Sequence, residues 1–107
     1  MLTVSDLGRS TQWWTGIGMR EVERNEHVVV LELRGGTHLV LVPGEPKAGD
    51  APFDLMVEDL EATHKDWSER GITVSPITKG RIHNAFEATD PDGYRVTVNS
   101  SHVSGIV

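Results

Sequence analysis

Polar side chains that can hold a proton, a metal ion or a ligand recur at alternate positions of several predicted strands in this chain. In a β-strand such residues share one face of the sheet. His83, Glu87 and Asp54 are the types that a displaced metal site or an acid–base pair requires, and His83 and Glu87 are the candidate catalytic residues. The predicted ligand-binding face comprises His38 from the first half of the chain and Asp54, Met56, His83, Glu87, Arg95, Thr97 and Asn99 from the second.

The same side chains also fit a plainer interpretation. They could line a wet binding groove or form surface ion pairs, such as Glu87 with Arg95. Their spacing does not match a known metal-ligand set. From the residues alone, both interpretations stay open.

The elements that position these residues come in two copies. Six residues recur at an offset of 53, and Ser10 and Met19 match Thr63 and Ile72 at the same offset. The six identical pairs are Leu2/Leu55, Val4/Val57, Asp6/Asp59, Leu7/Leu60, Trp14/Trp67 and Gly18/Gly71. A second match aligns residues 36–42 with 93–99 at an offset of 57. A repeat indicates one supersecondary unit used twice, and a cleft between two such units is a common place for a small molecule to bind.

Each copy predicts a strand, a helix and three further strands. Asp6 and Asp59 suit helix N-caps, and Gly18 and Gly71 suit helix ends that need a positive φ. Predicted strands cover 1–4, 21–24, 27–33 and 37–42 in the first copy and 53–57, 72–77, 81–89 and 94–99 in the second. We therefore predict an α+β fold in one domain over 1–107, with module one at about 1–43, a linker at about 43–52 and module two at about 53–100.

Three segments of the chain resemble the vicinal oxygen chelate superfamily, which includes glyoxalase I, bleomycin-resistance proteins and extradiol dioxygenases. They are L-x-V-x-D-L-x-x-S-x-x-x-W-x-x-x-G-M from Leu2, V-x-D-L-x-x-T from Val57, and F-E-A-T-D-P-D-G-Y-R-V-T-V from Phe86. The resemblance implies two βαβββ modules that form an incomplete barrel around a cleft. It also implies that Asp54 and Met56 face that cleft and that the chain pairs as a homodimer.

Enzymes of this superfamily usually hold a divalent metal. The resemblance places three of the four ligand positions on Val40, Pro52 and Thr97, and the fourth before Met1. Valine and proline side chains have no donor atom, and a single threonine hydroxyl is a poor ligand. We therefore expect no cofactor and favour a metal-independent protein that binds a small organic ligand over an enzyme. Two alternatives stay open: a metal-dependent lyase, isomerase or dioxygenase with a displaced site, and a structural or regulatory domain that pairs with itself or another chain and leaves its cleft unused.

The composition limits the classes of partner and the cellular compartment that we expect for this chain. The net charge is −6 and no basic stripe is present, so we expect no nucleic-acid partner. The longest apolar run, 28–31, is far too short to cross a bilayer, and we expect no membrane partner. The chain has no cysteine, which fits a reducing cytoplasm. We expect a cytoplasmic homodimer.

Overall fold

The computed structural model describes residues 1–33, 37–80 and 84–100. The chain divides into two compact units. The first contains Met1–Ala48 together with Asp90–Gly93, and the second contains Gly49–Thr89 together with the segment that begins at Tyr94. No helix of the described residues has the length and apolarity needed to cross a membrane.

The first unit is one helix packed on a four-stranded sheet. Its elements are β1 (Leu2–Val4), α1 (Leu7–Gly16), β2 (Arg20–Arg24), β3 (Val29–Glu32) and β4 (His38–Pro43). The sheet order is β1-β4-β3-β2, with β1 parallel to β4 and the other pairs antiparallel. Alternate residues of β3 and β4 are buried together with Trp14 of the helix. This burial is the main stabilising contribution of the unit, because removal of apolar surface from water drives folding.

The second unit repeats this plan. Its elements are β5 (Gly49–Val57), α2 (Leu60–Glu69), β6 (Thr73–Val74), β7 (Thr78–Lys79), β8 (Asn84–Thr89) and β9 (Tyr94–Ser100). The sheet order is β5-β9-β8-β6, and β7 also pairs with β8. Phe86 is almost fully buried and makes edge-to-face contacts with Trp67 and His64 of the helix.

The strand register reproduces both sequence offsets. Leu2 of β1 pairs with Leu41 of β4, and Leu55 of β5 pairs with Val98 of β9. Leu2 and Leu55 are 53 residues apart in the sequence, and their strand partners Leu41 and Val98 are 57 residues apart. The structure therefore confirms the α+β class and the two βαβββ modules.

Two of the matched pairs outside the strands, Asp6/Asp59 and Gly18/Gly71, begin and end the helices. Asp6 accepts the N–H of Arg9 at 2.9 Å, and Asp59 accepts the N–H of Ala62 at 3.0 Å. Such caps satisfy backbone donors that the first helical turn leaves without partners.

Both helices end in a Schellman motif. Gly18 and Gly71 have φ of 123° and 83°, and each donates to the carbonyl three residues before it. The next residue donates to the carbonyl of the helical tryptophan, from Met19 to Trp14 and in the second unit from Ile72 to Trp67. A non-glycine residue at the left-handed position would be strained, so the glycine is part of the repeat for a backbone reason.

Two elements differ most from the sequence prediction. β5 begins at Gly49, four residues before the predicted start at Phe53, and Phe53 itself is only half-buried. The predicted strand over 72–77 is two short strands, β6 and β7. The Ser75 hydroxyl, between them, accepts the N–H of Glu87 at 2.8 Å. Pro76 has no N–H to donate to a ladder, which explains the interruption.

The turn Asp90–Gly93 is fixed by the side chain of Asp92. That carboxylate is only 3% exposed and accepts from the Ser5 hydroxyl at 2.5 Å, the Ser5 N–H at 3.2 Å and the Ser10 hydroxyl at 3.3 Å. Asp90 shapes the turn itself by accepting the N–H of Asp92 at 2.9 Å, and Gly93 has a φ of 89°. The D-P-D-G sequence is therefore a structural device of the first unit rather than a chemical site.

Candidate functional site

Each sheet has a face turned away from its helix, which we call the front face. In the second sheet, Phe86, Ala88, Val96 and Val98 are buried on the opposite side. Alternation therefore puts the remaining strand residues on the front face, as the sequence predicts. This front face carries Asp50, Pro52, Asp54 and Met56 from β5, Ala85 and Glu87 from β8, and Arg95, Thr97 and Asn99 from β9.

Arg95 lies between two carboxylates on this face. Its guanidinium contacts Asp50 through Nη2 at 3.0 Å and Nε at 3.1 Å, and Nε is 3.6 Å from Glu87 Oε2. The predicted ion pair between Glu87 and Arg95 is present. All three side chains are about half or more exposed, so each pair contributes little to stability and the groups can exchange partners.

A second row of polar groups lies across β5, β9 and β8. Thr97 pairs with Asp54 of β5 on one side and with Glu87 of β8 on the other. Asp54 Oδ2 is 3.4 Å from Asn99 Nδ2. The two carboxylates thus flank one hydroxyl, with their backbones two strand spacings apart, about 10 Å.

Two hydrogen bonds from Ser75 fix the backbone of Glu87. The Ser75 hydroxyl accepts the Glu87 N–H at 2.8 Å, and the Ser75 N–H donates to the Glu87 carbonyl at 2.8 Å. His64 of α2 in turn contacts the Ser75 carbonyl through Nε2 at 2.8 Å. Ser75 lies in the break between β6 and β7, and this break therefore helps to fix the position of Glu87 on the front face.

The front face of the first sheet has a different chemistry. His38, Glu32 and Arg20 stand side by side on β4, β3 and β2. Glu32 Oε1 is 2.7 Å from Arg20 Nη2, and Glu32 Oε2 is 3.2 Å from His38 Nε2. The next row on this face is Val40, Val30 and Glu23, on β4, β3 and β2.

Several residues of these faces were absent from the sequence prediction. Asp50 was missed because β5 was predicted to begin at Phe53; continuing the alternation back from Asp54 through Pro52 would have found it. Glu32 and Arg20 were missed because their partnership with His38 depends on strand register, which one strand alone does not reveal. His83 lies outside the described residues.

The positions to which the resemblance assigns metal ligands do not carry side chains that fit a divalent ion. Val40 and Pro52 offer no donor atom, and the hydroxyl of Thr97 is the one donor that these three side chains supply. Over 1–33, 37–80 and 84–100, no group of three or more His, Cys, Asp or Glu side chains is arranged to hold a metal. We therefore derive no reaction step through a metal.

Comparison with known families agrees with the duplicated βαβββ fold. Residues 1–98 match the model of the Glyoxalase/Bleomycin resistance protein/Dioxygenase superfamily. The chain belongs to this superfamily. A comparison with curated proteins gave no significant sequence match.

Solved structures of other proteins share the fold at low sequence identity. An integron cassette protein from the mobile metagenome of the Halifax Harbour sewage outfall has a TM-score of 0.81 at 19% identity, covering 94% of this chain and 93% of its own. Lactoylglutathione lyase from Agrobacterium tumefaciens has a TM-score of 0.79 at 16% identity, covering 98% and 92%. TnmS3, an antibiotic binding protein from Streptomyces sp. CB03234, has a TM-score of 0.77 at 22% identity, covering 92% and 89%. At these identities the likeness shows the fold alone.

Proposed function

We propose that this protein binds a small organic ligand without a metal ion, as a binding protein rather than an enzyme. The observation that carries the proposal is the combination of the superfamily fold with donor-free side chains at Val40 and Pro52. A protein that needed the metal for chemistry would keep carboxylate or imidazole ligands at these positions. TnmS3, named as an antibiotic binding protein, shows that a binder can have this fold.

The front face of the second sheet supplies the contacts that such a ligand needs. Arg95 and Asn99 offer donors, Asp54 and Glu87 offer acceptors, and Met56 is an exposed apolar side chain among them. Small-molecule sites combine apolar surface with a few oriented polar groups. Because the ion pairs here are exposed, a ligand can replace them at small cost.

A thermal-shift panel tests the proposal. Divalent metals and aromatic or peptide-like drugs are added separately to the purified protein, because a ligand that binds only the native state raises the melting temperature. We expect at least one organic compound to raise it and the metals to leave it unchanged. The metal content of freshly purified protein is measured in parallel. A stoichiometric divalent metal, together with an activity lost on chelation, would contradict the proposal.

A matched pair of variants locates the ligand on the second unit. Glu87→Gln changes a carboxylate on the front face, and Glu69→Gln changes an exposed carboxylate on α2. For an organic compound that stabilises the protein, we expect Glu87→Gln to reduce the shift and Glu69→Gln to leave it unchanged. Equal effects of both variants would place the ligand elsewhere.

A metal-dependent enzyme with a displaced site is the second candidate. One observation favours it: Asp54 and Glu87 flank Thr97 in a single row of the second sheet. If this site held a metal, Glu87→Ala would lower both the bound metal and any turnover. Unchanged metal content and turnover in Glu87→Ala would exclude it.

We also propose that the protein is a cytoplasmic homodimer. The short strand β1 is at one edge of the first sheet, and an edge strand is a place where a second chain can pair. The lack of cysteine suits a reducing compartment. Light scattering across micromolar concentrations should give twice the mass of the chain, and a monomer mass would overturn the homodimer.

A further inference from the structure

Ser75 uses every polar group that it has. Its N–H donates to the Glu87 carbonyl and its hydroxyl accepts the Glu87 N–H, both at 2.8 Å. The same hydroxyl donates to the Pro76 carbonyl at 3.2 Å. The Ser75 carbonyl contacts His64 of α2, whose Nε2 lies 2.8 Å away. Because a carbonyl oxygen only accepts hydrogen bonds, this nitrogen carries the proton.

Packing against the core also restrains the imidazole of His64. The side chain is half-buried, and its ring meets Phe86 edge to face with the centroids 4.9 Å apart. Phe86 is 1% exposed and directly precedes Glu87 on β8. A ring contact and a hydrogen bond therefore orient the imidazole together, and its N–H reaches Ser75 from the helix side of the sheet.

The first unit has different residues at the three equivalent positions of the repeat. The pairs are His64/Thr11, Ser75/Val22 and Glu87/Val30. Valine has no side-chain acceptor, and the buried Thr11 hydroxyl has no hydrogen-bond partner within the described part of the chain. There β2 remains one strand, with a register shift between Glu21 and Glu23. The βαβββ unit can therefore form without the contact of a helix side chain with this strand, and the contact occurs in the unit whose front face carries Glu87.

We propose that His64 is a positioning residue for Glu87. By donating Nε2–H to the Ser75 carbonyl, it holds Ser75 where both bonds to the Glu87 backbone form. A front-face carboxylate is thus placed by a side chain on the opposite side of the sheet. Segments with few ladder hydrogen bonds open easily, and the break between β6 and β7 is such a segment. That Glu87 contacts a ligand rests on the proposed function, whereas the link from His64 to Glu87 does not.

Nitrogen NMR and amide hydrogen exchange of the full chain test this link. In wild type, we expect the neutral His64 ring to carry its proton on Nε2. His64→Leu removes the donor and should speed exchange of the Glu87 amide by about three- to ten-fold, the size expected for the loss of one hydrogen bond. The amide of Val98, a buried residue of β9, is the internal reference and should exchange at an unchanged rate.

His64→Gln separates the hydrogen bond from the ring. A glutamine side chain carries an N–H₂ donor at about the reach of Nε2, so it can donate to the Ser75 carbonyl and should restore most of the protection of the Glu87 amide. His27→Leu, which replaces an exposed histidine of the first unit, is the matched control and should leave this protection unchanged.

Four results would overturn the positioning role. They are a predominant Nδ1–H form of His64 in wild type, equal exchange of the Glu87 amide in wild type and His64→Leu, equal acceleration at Glu87 and Val98, and equal acceleration in His64→Leu and His64→Gln. The third result would mean that the variant destabilises the whole unit. None of the four depends on a ligand.

Benzamidine is the probe for the effect on binding, because its planar amidinium group can pair with a carboxylate through two hydrogen bonds. Binding is followed at the Glu87 amide signal. We expect His64→Leu and Glu87→Gln each to weaken it by about two- to five-fold, as for an exposed charged contact, and His64→Gln to bind like wild type. Equal binding in wild type and His64→Leu would overturn the positioning of the carboxylate. No binding of benzamidine at Glu87 in wild type would count against the proposed function, and the exchange result would still decide the link.

Discussion

Replacement of Asp92 tests whether the hydrogen bonds of the D-P-D-G turn stabilise the first unit. The variant Asp92→Ala removes the acceptor of the 2.5 Å bond from the Ser5 hydroxyl and of two longer bonds, from the Ser5 N–H at 3.2 Å and the Ser10 hydroxyl at 3.3 Å. Ser10 is fully buried, so its hydroxyl would lose a partner that water cannot easily replace.

The expected loss of stability follows from these contacts. A hydrogen bond to a charged group contributes about 1.5–3 kcal/mol, and the two longer bonds count for less. Arg9 is 3.6 Å from the Asp92 carboxylate and its side chain is 55% exposed, so it adds at most a few tenths. We therefore expect Asp92→Ala to lower the free energy of unfolding by about 2–4 kcal/mol, or the melting temperature by roughly 8–16 °C at about 4 °C per kcal/mol.

Urea unfolding followed by tryptophan fluorescence measures this loss. The control is Asp66→Ala, which removes an exposed helical ion pair with Arg70 at 3.2 Å and should cost no more than about 0.5 kcal/mol. A double-mutant cycle of Ser5→Ala with Asp92→Ala should give a coupling free energy of about 1–2 kcal/mol. A loss for Asp92→Ala that is no larger than the control, or a coupling near zero, would refute the reasoning.

Three further variants test the helix ends, the link to Glu87 and the core of the second unit. Gly71→Ala should lower the free energy of unfolding by about 1 kcal/mol through backbone strain alone, because φ is 83° and a Cβ there meets no atom within 4 Å. Gly8→Ala, inside α1, should instead raise the stability, and thermal melts of the two variants check both results. Ser75→Ala should cost about 1 kcal/mol and speed hydrogen exchange of the Glu87 amide above all others, and unchanged exchange there would contradict the contact. Phe86→Ala should cost about 3–5 kcal/mol in urea unfolding, and a loss below about 1 kcal/mol would show that this ring is not part of the core.

The fold was predictable because its signals are local. A cap such as Asp59 and a helix end such as Gly71 each act within a few residues, so their spacing is visible in the sequence. Strand alternation is local too, and in β8 it puts Glu87 on the face opposite to the buried Phe86.

The site was harder to predict because its partnerships cross strands. Arg20 and His38 meet Glu32 only because β2, β3 and β4 have one particular register. Sequence alternation gives the face of each residue but not its neighbour on the next strand. The start of β5 was also missed, because a glycine- and proline-containing segment indicates a turn, although edge strands tolerate proline.

The two modules keep similar residues at their buried positions and carry different residues on their front faces. On the buried side, Leu2 matches Leu55, and Leu41 matches Val98. At the equivalent front-face positions, the register instead matches Val30 with Glu87, Val40 with Thr97, and His38 with Arg95. A core side chain must fit its packed neighbours, whereas a front-face side chain can change without loss of the fold. The same duplication that identifies the fold therefore gives no information about chemistry at these positions. The two front faces must therefore be tested separately, the second with variants of Glu87 and the first with variants of Glu32.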